Sequence, residues 1–231
     1  MMMRENTTWH IEVRDIIIAD IVLIIAMSLT LSGGIFGAGN SKFAGNFLLL
    51  LPIAAIGVTL SFVLHELMHK FVAQHYGAIA GFRTSFMGLG ITLATGAFGF
   101  LLGIPGATMI YAHNFTRREN GIVSLAGPLT NFVVFGASLA LFYILAPSAG
   151  SYIGEALYFI IFISILLAFF NMLPIFPLDG SKVLAWSAPI YLTTMGTIFV
   201  LMLIFTPIPL STIIFMLVIA LFFSLFYRRA F

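Results

Sequence analysis

The chain has 231 residues, of which 61% are apolar and only 8% charged, with a mean hydropathy of +1.13. An ordinary soluble domain is roughly a quarter charged, so this composition excludes a soluble protein and points to an all-α polytopic membrane protein. A net charge of +2, with basic residues at span ends rather than in a patch, argues against nucleic acid as a partner. The absence of cysteine excludes disulfides and thiolate metal ligands.

About 20 apolar residues cross a bilayer as a helix, and six stretches approach or exceed that length: Ile16–Ser32, Phe47–Met68, Ile122–Ala146, Tyr152–Leu173, Ile190–Phe205 and Leu210–Tyr227. The first is long for a signal peptide and contains Asp20, so it reads as a span, with Asp20 expected to meet a structural partner on a neighbouring helix.

The second span lies in an expected helix over 46–76 and runs into His65-Glu66-Leu67-Met68-His69. On a helix His65 and His69 project from one face, about a turn apart, and can share one tetrahedral zinc. Glu66, one step round the helix, is placed to take a proton from a metal-activated water, as this motif implies in metalloproteases. Chance placement at this His and Glu content produces such a motif in on the order of 0.2 per cent of chains. Burying these groups at membrane depth is costly unless they are paired or bind metal. Lys70 follows immediately and is expected to snorkel to the interface. That would put Glu66 roughly 6 Å below it along the helix axis, a shallow site.

The next apolar stretch, Phe86–Ile110, carries Gly88, Gly90, Gly96, Gly99, Gly103, Pro105 and Gly106, which weaken a helix and suit turns or strands. The competing reading is a Gly-faced packed helix. Charge arbitrates the topology, because cytoplasmic loops collect Lys and Arg. If a segment over 83–111 dips in and returns to the same side, six crossings leave both termini in the cytoplasm. Arg4, Arg14, Lys70, Arg83, Arg117, Arg118, Lys182, Arg228 and Arg229 then all lie inside, and only Lys42 outside. If it crosses instead, five of those move outside. A re-entrant, β-hairpin-like segment between the second and third spans is therefore expected. A strand edge around Thr84–Thr95 could receive an extended substrate by strand addition.

The third and fourth spans fall in an expected helix over 121–146 and in a helix and loop over 152–182, followed by C-terminal helices over 190–227. Few acidic residues are available as a third metal ligand. Asp179 follows Asn171-Met-Leu-Pro-Ile-Phe-Pro-Leu, where Pro174 and Pro177 end the helix and leave irregular backbone on the side where His65 and His69 lie. A carboxylate there could complete the zinc sphere and leave a position for water. Glu155 reads as a solvated first-turn acid, His75 and His113 as surface groups, and the methionines as packing.

Three motifs then carry a resemblance: His-Glu-Leu-Met-His at 65–69, Leu-Ala-Gly-Pro-Leu-Thr-Asn at 125–131, and Asn-Met-Leu-Pro-Ile-Phe-Pro-Leu-Asp-Gly at 171–180. In this order the chain resembles the site-2 protease family of intramembrane zinc metalloproteases, peptidase family M50. The resemblance implies one membrane-embedded metalloprotease domain over 1–231, a single Zn2+ held by His65, His69 and Asp179, and Glu66 as general base and later proton donor. It also implies that Asn131 and Asn171 stand near the metal. An amide there could hold the substrate backbone or the developing oxyanion, or simply bond a neighbouring helix. Ala126-Gly127-Pro128 reads as close helix packing with a local bend. Met68 and Ser181 stand where many members have Gly, and neither change removes a ligand. No insert resembling a PDZ domain and no nucleotide-binding tail is evident, so a minimal membrane core is expected, with its regulator unseen. The expected partners are transmembrane protein substrates and the bilayer of the cell membrane, with the site opening to the cytoplasm. The alternative is an ion- or proton-coupled transporter, which explains buried ionisable groups but not the four-residue histidine spacing or the Pro-rich Asp-Gly loop.

Overall fold

The fold is given by a computed structural model that describes residues 2–37, 43–99, 101, 103, 105–112, 114–145, 150–206, 208, 210, 211, 213, 214 and 218. The elements run α1 (Met2–Leu31), the single turn α2 (Gly34–Gly37), α3 (Phe43–Val58), a π-helical turn (Thr59–Val63), α4 (Leu64–His75), β1 (Ile79–Thr84), α5 (Phe86–Ala97), β2 (Gly106–Tyr111), α6 (Arg117–Leu145), α7 (Tyr152–Asn171), α8 (Asp179–Trp186) and α9 (Ala188–Phe205). The chain is thus mostly helical, with one antiparallel ribbon of β1 and β2 between the second and third expected spans.

Among the described residues, four helices are long and apolar enough to cross a membrane: Gly45–His75, Arg117–Leu145, Tyr152–Asn171 and Ala188–Phe205. They contain the expected second and fifth spans and all but the last one or two residues of the third and fourth. Ile16–Ser32 falls almost wholly within α1 and is not among the four, and Leu210–Tyr227 lies almost entirely outside the described residues. The Gly-rich stretch also departs from expectation. Residues 86–97, where a strand edge was anticipated, form helix α5, and the strands flank it. The competing packed-helix reading holds for this part. Gly88, Leu89, Thr92 and Gly96 are buried, and a Cβ at Gly96 would come within 2.6 Å of the Ala26 carbonyl oxygen, so α1 and α5 touch backbone to backbone. Ser85 caps α5, its hydroxyl accepting from Gly88 N–H. Because Thr84 pairs with Gly106, the chain leaves and re-enters the ribbon at one place.

Among the described residues, the two larger of three apolar clusters hold most of the helices together. One joins Phe135 of α6, Ile165 and Phe169 of α7, Val183 of α8, and Ile198 and Met202 of α9. The other joins Leu23 and Met27 of α1, Ile53 and Val58 of α3, Phe82 of β1, Leu89 of α5, and Phe159 and Ile163 of α7. Helix α7 contributes to both and is apolar on every face, as a central helix must be. Close approach depends on small residues: a Cβ at Gly57 would meet the Phe159 ring at 2.5 Å, and one at Gly121 would meet Trp186 Cε3 at 2.6 Å.

The ribbon is fastened by carboxylates. Glu12 accepts from Phe82 N–H, and Asp15 accepts from Thr84 N–H, while the Asp15 carbonyl takes the Thr84 hydroxyl. The outer edge of β1 is therefore covered by α1. The expectation that Lys70 snorkels to water is not met. Lys70 is buried, donates to both oxygens of Glu12 at 2.8 and 2.7 Å, and lies 5.2 Å from the Trp9 ring centroid. The depth inferred from its snorkelling lapses with it. Asp20 has the structural partner expected of it, accepting from the Thr59 hydroxyl at 2.7 Å.

Candidate metal centre

Helix α4 presents His65 and His69 on one buried face, 2% and 6% exposed. It ends in a Schellman arrangement that turns the chain into β1: Gly77 has φ +79°, Gly77 N–H bonds the Gln74 carbonyl, and Ala78 N–H bonds that of Ala73. Asp179 comes from the far side of the bundle. After α7 ends at Asn171, the Pro174–Pro177 loop, with a cis Phe176–Pro177 bond, delivers Asp179 as the first residue of α8. The glycine after it is dictated by packing. A Cβ at Gly180 would lie 2.7 Å from the Leu173 carbonyl oxygen and closer still to that of Met172. Lys182, one turn on, stands 3.7 Å from Asp179 Oδ1 and leaves Oδ2 toward the histidines.

The three residues converge. His65 Nε2 and His69 Nε2 are 3.0 Å apart, and Asp179 Oδ2 lies 3.4 Å from the first and 3.0 Å from the second. The surroundings assign the tautomers. Asn131 donates its amide nitrogen to the Ser164 carbonyl at 3.2 Å, so its oxygen must be the atom 2.7 Å from His65 Nδ1, and that nitrogen donates. His69 Nδ1 donates to the Val123 carbonyl at 2.7 Å. If both rings are neutral, their Nε2 lone pairs and the Asp179 carboxylate are three buried acceptors facing one another, an arrangement that a bound cation would satisfy. A tetrahedral zinc with bonds of about 2.0–2.2 Å to N and O ligands has edges of about 3.3–3.5 Å; one separation, 3.4 Å, matches and the two of 3.0 Å would open by about 0.3 Å on binding. Two His and one carboxylate is also a known catalytic zinc ligand set.

Gly127, read from the sequence as a packing residue, has a further role. A Cβ there would fall 2.5 Å from His65 Nε2 and nearer still to His69 Nε2, so α6 can pass the two imidazoles only with glycine at this position. A glycine inside a membrane helix, beside a proline and within reach of the histidine motif, is the signal that could have singled it out. Asn131 is fully buried and acts on His65 rather than facing the cluster itself. Asn171 donates its amide to the Leu167 carbonyl of its own helix at 3.0 Å. Glu66 is half-buried, and its Oε2 accepts from both the N–H and the hydroxyl of Thr108 on β2, at 3.0 and 2.8 Å. Nothing in the sequence tied Thr108 to Glu66, because a contact across 42 residues is set by the ribbon's register.

Apolar membrane-length helices around a buried His, His, Asp cluster define a membrane-embedded metallohydrolase. The family model described as peptidase family M50 matches residues 146–191, which include the Pro-rich loop and Asp179. Over 146 residues, 61% of this chain and 73% of the relative, the sequence is 44% identical to a Methanocaldococcus jannaschii protein named "Putative zinc metalloprotease". It is 29% identical over 174 residues to the Mycobacterium tuberculosis protein named "Putative zinc metalloprotease Rip2", covering 67% of this chain and 65% of the relative. A Bacillus subtilis protein also named a "Putative zinc metalloprotease" is 28% identical over 152 residues, 58% of this chain and 68% of its own length. The chain belongs to peptidase family M50, and is a zinc metalloprotease of the membrane.

Proposed function

We propose that the protein cleaves peptide bonds within or near the transmembrane segments of membrane proteins, with His65, His69 and Asp179 holding one zinc and Glu66 as general base. The observation that carries this reading is the convergence of three buried lone-pair donors at 3.0–3.4 Å, each oriented by a partner of its own. Zinc bound there would lower the pKa of a water and polarise a peptide carbonyl. The chain's own residues supply the rest. Glu66 takes the proton from the attacking water and returns it to the leaving amine. Asn131 holds His65 in the tautomer that ligates. Asn171, beside the Pro-rich loop, keeps a second amide hydrogen with which to meet the substrate backbone.

A helical substrate hides its peptide bonds and must be drawn out. With the outer edge of β1 closed by Glu12 and Asp15, the edge offered for strand addition is that of β2 beyond Thr108, whose own N–H is taken by Glu66, rather than residues 84–95. The segment between Thr84 and Gly106 suits a re-entrant excursion, because α5 has 12 residues, about 18 Å, too short to cross a hydrocarbon core of about 30 Å. With that excursion the distribution of Lys and Arg supports a topology in which the termini and the site opening face the cytoplasmic side of the cell membrane.

The test is zinc content together with cleavage in detergent-solubilised protein. Wild type is expected to hold about one zinc per chain and to cut transmembrane peptides, Asp179→Ala to lose the metal, and Glu66→Gln to keep the metal and lose cleavage. A wild type without zinc after gentle purification, or ion flux altered by Glu66→Gln with no peptide product, would favour the transporter instead.

A further inference from the structure

We propose that Thr108 is the positioning residue of the catalytic carboxylate, holding Glu66 by one oxygen so that the other is presented for proton transfer. The inference rests on the metalloprotease reading, in which Glu66 is the base. Thr108 and Phe82 face each other across the ribbon, and both turn their N–H groups outward, Phe82 to Glu12 of α1 and Thr108 to Glu66 of α4. They are a non-hydrogen-bonded pair of the antiparallel ladder, whose amides are free to serve neighbouring elements.

At Thr108 the amide and the hydroxyl act together. Both reach Oε2, at 3.0 and 2.8 Å, the hydroxyl lying 3.1 Å from the Glu66 backbone carbonyl as well, and no donor among the described residues reaches Oε1. An ionised carboxylate has about four lone-pair sites. Filling two of them on one oxygen fixes the side-chain torsions and leaves a single oxygen for the chemistry. A long, flexible side chain one step round the helix from a metal ligand would otherwise sample several rotamers. The 3.1 Å approach of the hydroxyl to the Glu66 carbonyl could fasten the ribbon to α4, but it does not account for the shorter 2.8 Å bond to Oε2. The ribbon is already held by Glu12 and Asp15 on one strand and by its own ladder on the other. The backbone N–H of residue 108 would also keep its bond to Glu66 whatever side chain stood there.

The experiment compares Thr108→Val, which removes only the hydroxyl at similar volume, with Thr108→Ser, which restores it. Both are purified in detergent with zinc counted per chain and assayed for kcat and KM on a transmembrane peptide. The Glu66 carboxylate stretch is followed by infrared difference against Glu66→Gln. The hydroxyl's bond to a charged group predicts a fall of about tenfold or more in kcat for Thr108→Val. KM and zinc content stay unchanged, the carboxylate band moves, and Thr108→Ser returns both kcat and the band to within about twofold of wild type. A band that does not move in Thr108→Val overturns the contact itself. A kcat equal to wild type overturns the positioning role, as does a raised KM at constant kcat, which would make the residue one of substrate binding. Equal losses in the Ser and Val variants would reduce Thr108 to a structural part. A band that moves while zinc-loaded wild type cuts no peptide overturns the catalytic role through failure of the protease reading, and leaves the contact standing.

Discussion

Substituting Gly127 by alanine should separate metal binding from folding. The new Cβ would lie 2.5 Å from His65 Nε2, where ordinary contact begins at 3.4 Å, so the ring must retreat by 0.9 Å, the difference of those two distances. His69 Nε2 is crowded more closely. Neither ring is free to yield, since each is tethered at Nδ1 by a 2.7 Å hydrogen bond to Asn131 or Val123. Metal–ligand distances tolerate about 0.2 Å. The displacement exceeds that several times over, and zinc affinity should fall by at least about a hundredfold, the upper end of what loss of an outer partner costs. Folding should suffer far less. Alanine is about 1 kcal/mol better than glycine inside a helix, which offsets part of an overpacking cost of about 1–3 kcal/mol. The assay is zinc per chain with chelator competition, run beside thermal unfolding. Gly136→Ala on the same helix is the control, because its Cβ meets nothing within 4 Å. Wild-type zinc affinity in Gly127→Ala, or an equal loss in Gly136→Ala, would refute the reasoning.

Other perturbations follow from the same contacts. Asn131→Leu leaves His65 Nδ1 without its acceptor and should weaken zinc retention about ten- to a hundredfold, read by chelator competition; retention equal to wild type would remove Asn131 from the site. Lys70→Met leaves Glu12 buried without its cation and should cost about 3–5 kcal/mol of stability. Adding Glu12→Leu should recover much of that loss, so a single variant as stable as wild type in thermal unfolding would show that the pair is not buried in the membrane-embedded protein. Ile110→Pro removes a backbone donor of β2 and should raise KM for transmembrane peptides while zinc content holds, whereas an unchanged KM would argue against strand addition at that edge.

The membrane class and the bringing together of His65, His69 and Asp179 were legible because each rests on a local pattern: apolar run length, the i, i+4 spacing, and helix-breaking prolines before Asp179. The Gly-rich segment was read only in part. Its glycines weaken a helix in water, but against Ala26 they let backbones meet, so α5 forms where a strand was expected. Lys70 was misjudged because an exposed fate is the default for lysine at a span end, and the compensating Glu12 lies 58 residues away. The partners of the site were invisible for the same reason. Val123, Thr108 and Ser164 are chosen by register and crossing angle, and no short stretch of sequence encodes either.

The π-helical turn Thr59–Val63 sits directly before the histidine motif. A π turn accommodates one more residue than the α-helical ladder it interrupts, and one residue is worth about 100° of rotation about the axis. The helix from Gly45 to His75 therefore behaves as two cylinders on a common axle, set out of phase by a single inserted amino acid. Upstream, Ile53 and Val58 address the α1 and α7 side; downstream, His65 and His69 address α6. An unbroken α-helix of the same length and composition would swing both imidazoles by about 100°, away from Asp179.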